Sequence, residues 1–236
     1  SAYQLYLELN PEGLKRDDIK YQIAHLYYEG NDYVKASELF KNIALDVKST
    51  SNLREKSAEL CLDSAVILKN ESQIEADSLL FSQTFKSKKS YYLALWRKSI
   101  LNQSAKVINS PASSTLDLEA QWKKLDKLSV SDWPKKKKKT LIKNKLVIGT
   151  QLKDLFMVAQ GSAQLLQLDD LTQVEQNWAI AQAAWVAEMR MDFAKALSLL
   201  KQVTPKKSQL AEHHFKLALL MELAHQNPSA EYLNFI

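Results

Sequence analysis

The chain has 236 residues, of which 46% are hydrophobic and 25% charged, and a net charge of +5; this composition is typical of a folded globular protein and excludes wholesale disorder. Glycine occurs only four times, so nucleotide-binding α/β enzymes and turn-rich β-sandwiches, which need glycine in loops and hairpins, are disfavoured and an all-α protein is predicted. The single cysteine excludes an internal disulfide framework and a cysteine-based zinc site, and no apolar run has the length of a transmembrane segment.

Apolar residues recur at helical spacing along nearly the whole chain. A first helix is expected to end at Pro11, a second to be capped by Asp17 or Asp18, and a third to follow the turn Gly30-Asn31-Asp32. Further helices are predicted at about 53–69, 71–86, 88–108, 116–128, 173–190, 192–203, 208–226 and 228–235. Breaks are predicted at 48–52, 109–115 and 129–134, a long segment runs from there to about Gly161, and Asp169-Asp170 is predicted to cap a helix.

Alanines recur at an interval of 34 residues, in the pairs Ala24/Ala58, Ala184/Ala218 and Ala196/Ala230. This interval is the length of one helix–turn–helix unit of the tetratricopeptide repeat. Two antiparallel helices approach closely only where side chains are small, so Ala24, Ala36, Ala184 and Ala196 are predicted to be buried at helix crossings.

Residues 23–40 carry a spacing of small and large side chains that is repeated near the end of the chain. The positions are Ala24, Tyr27, Tyr33, Ala36 and Phe40, and then Ala184, Ala187, Phe193, Ala196 and Leu200. This pattern resembles the tetratricopeptide repeat (TPR) family, and Leu7–Pro11 resembles the end of a second helix in that family. The resemblance implies an all-α fold of antiparallel hairpins stacked as a right-handed superhelix, with a concave groove that usually binds protein.

The resemblance covers the chain unevenly, so three segments are expected. Residues 1–109 and 161–236 are predicted to be TPR-like repeats, although the match over 53–108 is weak, and 110–160 is either degenerate repeats or an insertion. Because the chain begins and ends inside predicted second helices, we expect it to be excised from a larger protein whose neighbouring repeats adjoin it.

The resemblance also implies which side chains line a groove. They are Tyr21, His25, Tyr28, Trp178, Trp185, Glu188, Phe215 and Glu222. Trp178 and Trp185 lie seven residues apart and therefore share a helix face. The alternative is that these aromatic residues belong to the core. The side chains of the chaperone-type carboxylate clamp are missing, which disfavours capture of a peptide C-terminus.

No constellation of residues suggests catalysis, a cofactor or a metal. His213 and His214 project about 100° apart on a helix and do not share a metal comfortably, and Cys61 occupies a core spacing that predicts a buried, inert thiol. We therefore expect a non-catalytic scaffold that binds a partner protein, as a helix or peptide, in its groove.

The run Lys135, Lys136, Lys137, Lys138 and Lys139, extended by Lys143, Lys145 and Lys153, is the most distinctive local feature. If Ser131 or Asp132 caps a helix there, the lysines lie at its positive dipole end, which disfavours the helix. The run is predicted to be exposed and dispensable for folding. It suggests an alternative function, binding of nucleic acid, an anionic surface or an acidic partner; nucleic acid is disfavoured because only Trp133 could supply stacking. A solvated linker is the other interpretation.

Overall fold

The computed structural model describes residues 2–10, 13 and 15–235. Over these residues the chain forms thirteen α-helices and two 3₁₀ turns and has no β-strand, which confirms the all-α prediction. The helices are α1 (Ala2–Leu9), α2 (Arg16–Glu29), α3 (Tyr33–Leu45), α4 (Ser51–Ile67), α5 (Glu71–Thr84), α6 (Lys89–Asn109), α7 (Thr115–Asp126), α8 (Lys135–Leu152), α9 (Leu155–Leu166), α10 (Gln173–Met189), α11 (Phe193–Leu200), α12 (Leu210–Leu223) and α13 (Ser229–Phe235). The 3₁₀ turns are Lys86–Lys88 and Lys207–Gln209.

The chain is divided into two compact units, Ser1–Gln103 and Ser104–Ile236, and α6 crosses the boundary. In the first unit α1 to α5 pack successively on their neighbours in sequence, and in the second α7 to α13 do the same. This packing of sequential helices is that of antiparallel hairpins. Helices also continue through residues 110–160, and the three-segment division remains a prediction.

One hairpin turn is repeated in both units. A residue other than glycine adopts a left-handed backbone conformation, with φ between 53° and 63°, at Asn31, Lys69, Lys153, Met191 and His225. In each case the amide of the following residue donates to a carbonyl five residues earlier, as from Asp32 to Tyr27 at 2.9 Å, which is the Schellman closure of a helix. In four of these turns that residue also caps the next helix with its side chain: Asp32, Asn70, Asp154 and Asp192.

Small residues lie at the helix crossings. Ala24, Ala36, Ala184 and Ala196 are at most 1% exposed, which confirms their predicted burial. Ala58 and Ala218 are equally buried, whereas Ala230 is exposed. The 34-residue interval therefore marks crossings in two of its three pairs.

The α8–α9 hairpin is closed by glycines at its crossing. A Cβ atom added to Gly149 would lie 2.8 Å from Met157 Cβ, and one added to Gly161 would lie 3.0 Å from Leu146 Cα. Both distances are shorter than a van der Waals contact between carbons. Absent side chains at these two positions therefore set how closely α8 and α9 approach.

Two predicted helix caps were wrong. Asp17 and Asp18 lie in the first turn of α2, where they complement the helix dipole without capping. The cap of α10 is Thr172, in a reciprocal capping box with Glu175, and not Asp169-Asp170. The predicted break at 48–52 is shorter than expected, because α4 already begins at Ser51, and the predicted helix end at Pro11 lies outside the described residues.

Candidate functional site

A groove of about 520 Å³ lies in the second unit, between the first helices of two successive hairpins, α10 and α12. Its lining comes from α10, from the connection between α11 and α12, and from the start of α12. These residues are Gln173, Val174, Asn177, Trp178, Ala181, Leu200, Val203, Thr204, Pro205, Lys206, Gln209, Glu212, His213 and Lys216.

The groove has an apolar floor that is partly open to solvent. Val174, Trp178 and Ala181 follow one another on a single face of α10. Val174 is 62% exposed, and Trp178 is half-buried. Leu200, the last residue of α11, and Val203, in the connection that follows it, supply further apolar surface. Exposed apolar surface bordered by polar groups is typical of a binding site.

Asn177 holds one edge of the groove in place. Its side-chain Nδ2 donates to the carbonyl of Thr204 at 2.6 Å, and the Thr204 amide donates back to Asn177 Oδ1 at 3.2 Å. Gln173 Nε2 donates to the same Oδ1 at 2.9 Å. The connection after α11 is therefore tied to α10 by a pair of side-chain to backbone hydrogen bonds, which preorganises the groove.

Charged side chains of both signs surround this floor. Lys216 on α12 forms an ion pair with Glu188 on α10 at 2.9 Å, which links the two helices. Burial lowers the pKa of His213, and the neighbouring His214 lowers it further, against the opposing effect of Glu231. His213 is therefore held toward its neutral form.

The aromatic and acidic residues predicted in the later repeats divide into four groups. Trp178 lines the groove. Trp185 is half-buried and packs, as Trp178 also does in part, on the cluster formed by α8, α9 and α10. Glu188 is engaged in its ion pair with Lys216, and Phe215 and Glu222 are exposed on α12 outside this groove.

The groove side of α12 differs from the prediction for a geometric reason. Phe215 and Glu222 project roughly 120° around the helix axis from the α12 residues that line the groove, so they lie on another side of α12. The residues that α12 contributes are Gln209, Glu212, His213 and Lys216. Val174, also missed, could have been found because it lies one turn before the predicted Trp178; Asn177 precedes only Ala181, which was not itself predicted.

The three residues predicted in the early repeat make contacts within the first unit. Tyr21 packs on Phe40 with ring centroids 5.6 Å apart, and His25 Nδ1 lies 3.2 Å from Glu29. Tyr28 packs edge-on against Tyr33 at 5.3 Å. The Tyr28 hydroxyl also donates to the Asp63 carboxylate, a hydrogen bond that raises the pKa of Tyr28 to about 12.

The fold leaves some lysines of the predicted run exposed and places others in ion pairs. Lys135 is the first residue of α8 and Pro134, not Ser131 or Asp132, occupies the cap position, so the lysines do lie at the positive end of the helix dipole. Lys139 was predicted to be dispensable, but its ammonium lies 3.3 Å from carboxylate oxygens of both Asp170 and Glu175.

The lysines that follow are also paired. Lys143 lies 2.9 Å from Glu175, and the buried Lys145 lies 2.6 Å from Asp126 with its ammonium over the Trp122 ring. These lysines pair because one side of α8 faces α10 and another faces α7. The predicted exposure is therefore found at Lys135 and Lys136 and in part at Lys137 and Lys138, whereas Lys139 is ion-paired. That the run is dispensable for folding stays a prediction.

The Cys61 thiol is buried, as predicted. Desolvation by burial raises its pKa to about 12. It lies 3.4 Å from the Ser37 hydroxyl and 3.6 Å from Asp77, whose carboxylate accepts from Lys41 at 2.6 Å. A thiol of this kind stays protonated and unreactive, so it serves the core of the first unit.

No protein-family model matches the sequence, and no curated protein matches it. Within residues 2–10, 13 and 15–235, no three His, Cys, Asp or Glu side chains are grouped so that they could hold a metal ion. None of the described helices is both long and apolar enough to span a membrane.

Proposed function

We propose that the chain is a non-catalytic, TPR-like scaffold that binds a helix or an extended peptide of a partner protein within an assembly. The observation that carries the proposal is the groove between α10 and α12, where Val174 and Trp178 present apolar surface to solvent. The repeated hairpin turn and the buried alanines support the TPR-like assignment, because both recur at the positions where such repeats need them.

The groove is suited to one or two apolar anchor side chains of a partner. Its volume of about 520 Å³ lies within the range of ligand-binding clefts. Aromatic side chains, such as the one on the groove floor, are common among the residues that contribute most to the binding free energy of protein interfaces. The paired and mixed charges at the rim give no strong preference for either sign, so apolar contact supplies most of the affinity.

A peptide-display selection against the full chain, followed by affinity measurements on selected peptides, tests this function. Val174→Arg and Trp178→Ala should each weaken binding by 30-fold or more, corresponding to about 2 kcal/mol. Phe156→Arg is the matched control, since Phe156 on α9 is 65% exposed and Val174 62% exposed. The control should change affinity less than threefold.

Two results would contradict the proposal. One is a selection that enriches no peptide above background. The other is a set of peptides whose affinities change equally with Val174→Arg and Phe156→Arg, because binding would then depend on general surface charge and not on the groove. Circular dichroism melts of each variant show whether a loss of binding reflects a loss of folding.

A further inference from the structure

Seven lysines gather where the α7–α8 hairpin turns, at a site separate from the groove. They belong to the last turn of α7, to the residue after it, and to the first turn of α8. We refer to them as the lysine tip: Lys123, Lys124, Lys127, Lys135, Lys136, Lys137 and Lys138.

The four lysines that the tip takes from α8 carry uncompensated charge. Among the described residues, no carboxylate forms an ion pair with Lys135, Lys136, Lys137 or Lys138. This contrasts with Lys139, the next residue in the chain, whose ammonium contacts two carboxylates. The nearby Asp126 is already paired with Lys145. The fold thus neutralises the lysines of α8 that face other helices and leaves Lys135 to Lys138 available.

The arrangement of the four consecutive lysines suits a planar partner. Successive residues of a helix project about 100° apart, so four in a row surround the helix end and do not form a stripe along one face. A nucleic-acid backbone is followed by a stripe or groove of basic residues, whereas a ring of charges at a helix end faces a surface approached end-on.

The aromatic residues nearest the tip are not available for stacking on bases. Trp133 is 6% exposed and Trp122 is 8% exposed. The tip also contains no arginine, the residue whose planar guanidinium recognises phosphates and bases with two hydrogen bonds. The tip can therefore attract a partner only through the point charges of its ammonium groups. Such attraction selects partners by their density of negative charge and not by base or sequence.

We propose that the lysine tip binds the surface of an anionic lipid bilayer by electrostatic attraction alone, without insertion into the hydrocarbon. Clusters of four to eight basic residues bind anionic leaflets in this way. Each lysine near such a surface contributes roughly fivefold to the partition coefficient, so removal of four should lower it by about 600-fold, nearly three orders of magnitude.

The test is co-sedimentation of the full chain with vesicles of phosphatidylcholine, with and without about one third phosphatidylserine, across a range of salt concentrations. The variant K135S/K136S/K137S/K138S should lose about 600-fold in partition into anionic vesicles at low salt. The matched control K56S/K86S/K89S/K98S removes four exposed lysines from elsewhere in the chain; it should lose less than tenfold. The groove variant Val174→Arg should retain full binding.

Four results would overturn the proposal. They are no binding to phosphatidylserine vesicles, equal binding with and without phosphatidylserine, equal losses in the two quadruple variants, and tighter binding to a short DNA duplex or single strand than to the vesicles. The last would identify nucleic acid as the partner. Far-ultraviolet circular dichroism of both quadruple variants verifies that the compared proteins are folded.

Discussion

Replacement of Gly149 by alanine has two opposing effects on stability: it raises helix propensity, and it disrupts the packing between α8 and α9. In a solvent-exposed helix this change stabilises by about 1 kcal/mol, because alanine restricts the unfolded backbone and favours helix. In this protein the new Cβ would lie 2.8 Å from Met157 Cβ and 3.1 Å from the Met157 carbonyl carbon. Carbon atoms in contact prefer about 3.5–4.0 Å, so α8 and α9 must separate by roughly 0.7 Å.

The separation is costly because the residues around this crossing are fully buried. Leu146 on α8 and Val158 on α9 have no exposed surface, and a rigid shift opens gaps along the whole interface between the two helices. Overpacking of a tight core costs about 1–3 kcal/mol. After the gain in helix propensity is subtracted, Gly149→Ala should lower the free energy of unfolding by up to about 2 kcal/mol.

Urea denaturation followed by circular dichroism measures this change. Gly30→Ala is the control, since its Cβ would approach only carbonyl oxygens of its own helix, at 3.2 and 3.6 Å, and it should be neutral within about 0.5 kcal/mol. In the double variant with Met157→Gly, which removes the opposing Cβ, the two changes should be favourably coupled by about 1 kcal/mol. A Gly149→Ala protein that is more stable than the parent would refute the reasoning.

Three further changes test the hairpins. The ammonium of Lys143 and the amide of Thr172 lower the pKa of Glu175 to about 2, so the contribution of Glu175 to stability is present above its unfolded pKa and is lost as the pH falls through about 2. Glu175→Gln should therefore cost about 1–2 kcal/mol of unfolding free energy at neutral pH and almost nothing in strong acid. Equal losses across a pH series of melts would contradict this. Met191→Gly relieves a left-handed residue with φ of 60° and should stabilise by about 0.5–1 kcal/mol in urea melts, whereas destabilisation would count against strain in that turn. Ala196→Leu should cost about 1–3 kcal/mol by overpacking a fully buried crossing, and a neutral effect would argue against the helix register.

The sequence determined the secondary structure and the helix crossings because both depend on local spacing. Apolar periodicity predicts helices one at a time, and the alanines repeated at the 34-residue interval mark a close approach in two of their three pairs. The turn Gly30-Asn31-Asp32 was recognised for its composition. The helix break between 69 and 71 was also predicted, but its left-handed residue was not, and the turn at Lys153-Asp154 was missed altogether. A lysine in the left-handed position has no sequence signature, and only the capping Asn or Asp remains.

The candidate groove was only partly predictable. Trp178 was placed there by the repeat spacing, whereas His213 and Thr204 join it because α12 and its preceding connection dock against α10. The burial of Trp185 could be read only from the structure, because the residues that cover it lie on other helices, α8 and α9. A helix periodicity states which residues share a face but not which other element covers that face.

The lysine run shows the same division most clearly. The sequence established how many charges there are and that they begin a helix, but five adjacent lysines are indistinguishable by composition. Only the tertiary structure separated Lys139, which contacts Glu175, from Lys135 to Lys138, which have no such partner among the described residues. The reason is physical: an ion pair requires two side chains within about 4 Å, and residues 36 positions apart come that close only when their helices dock.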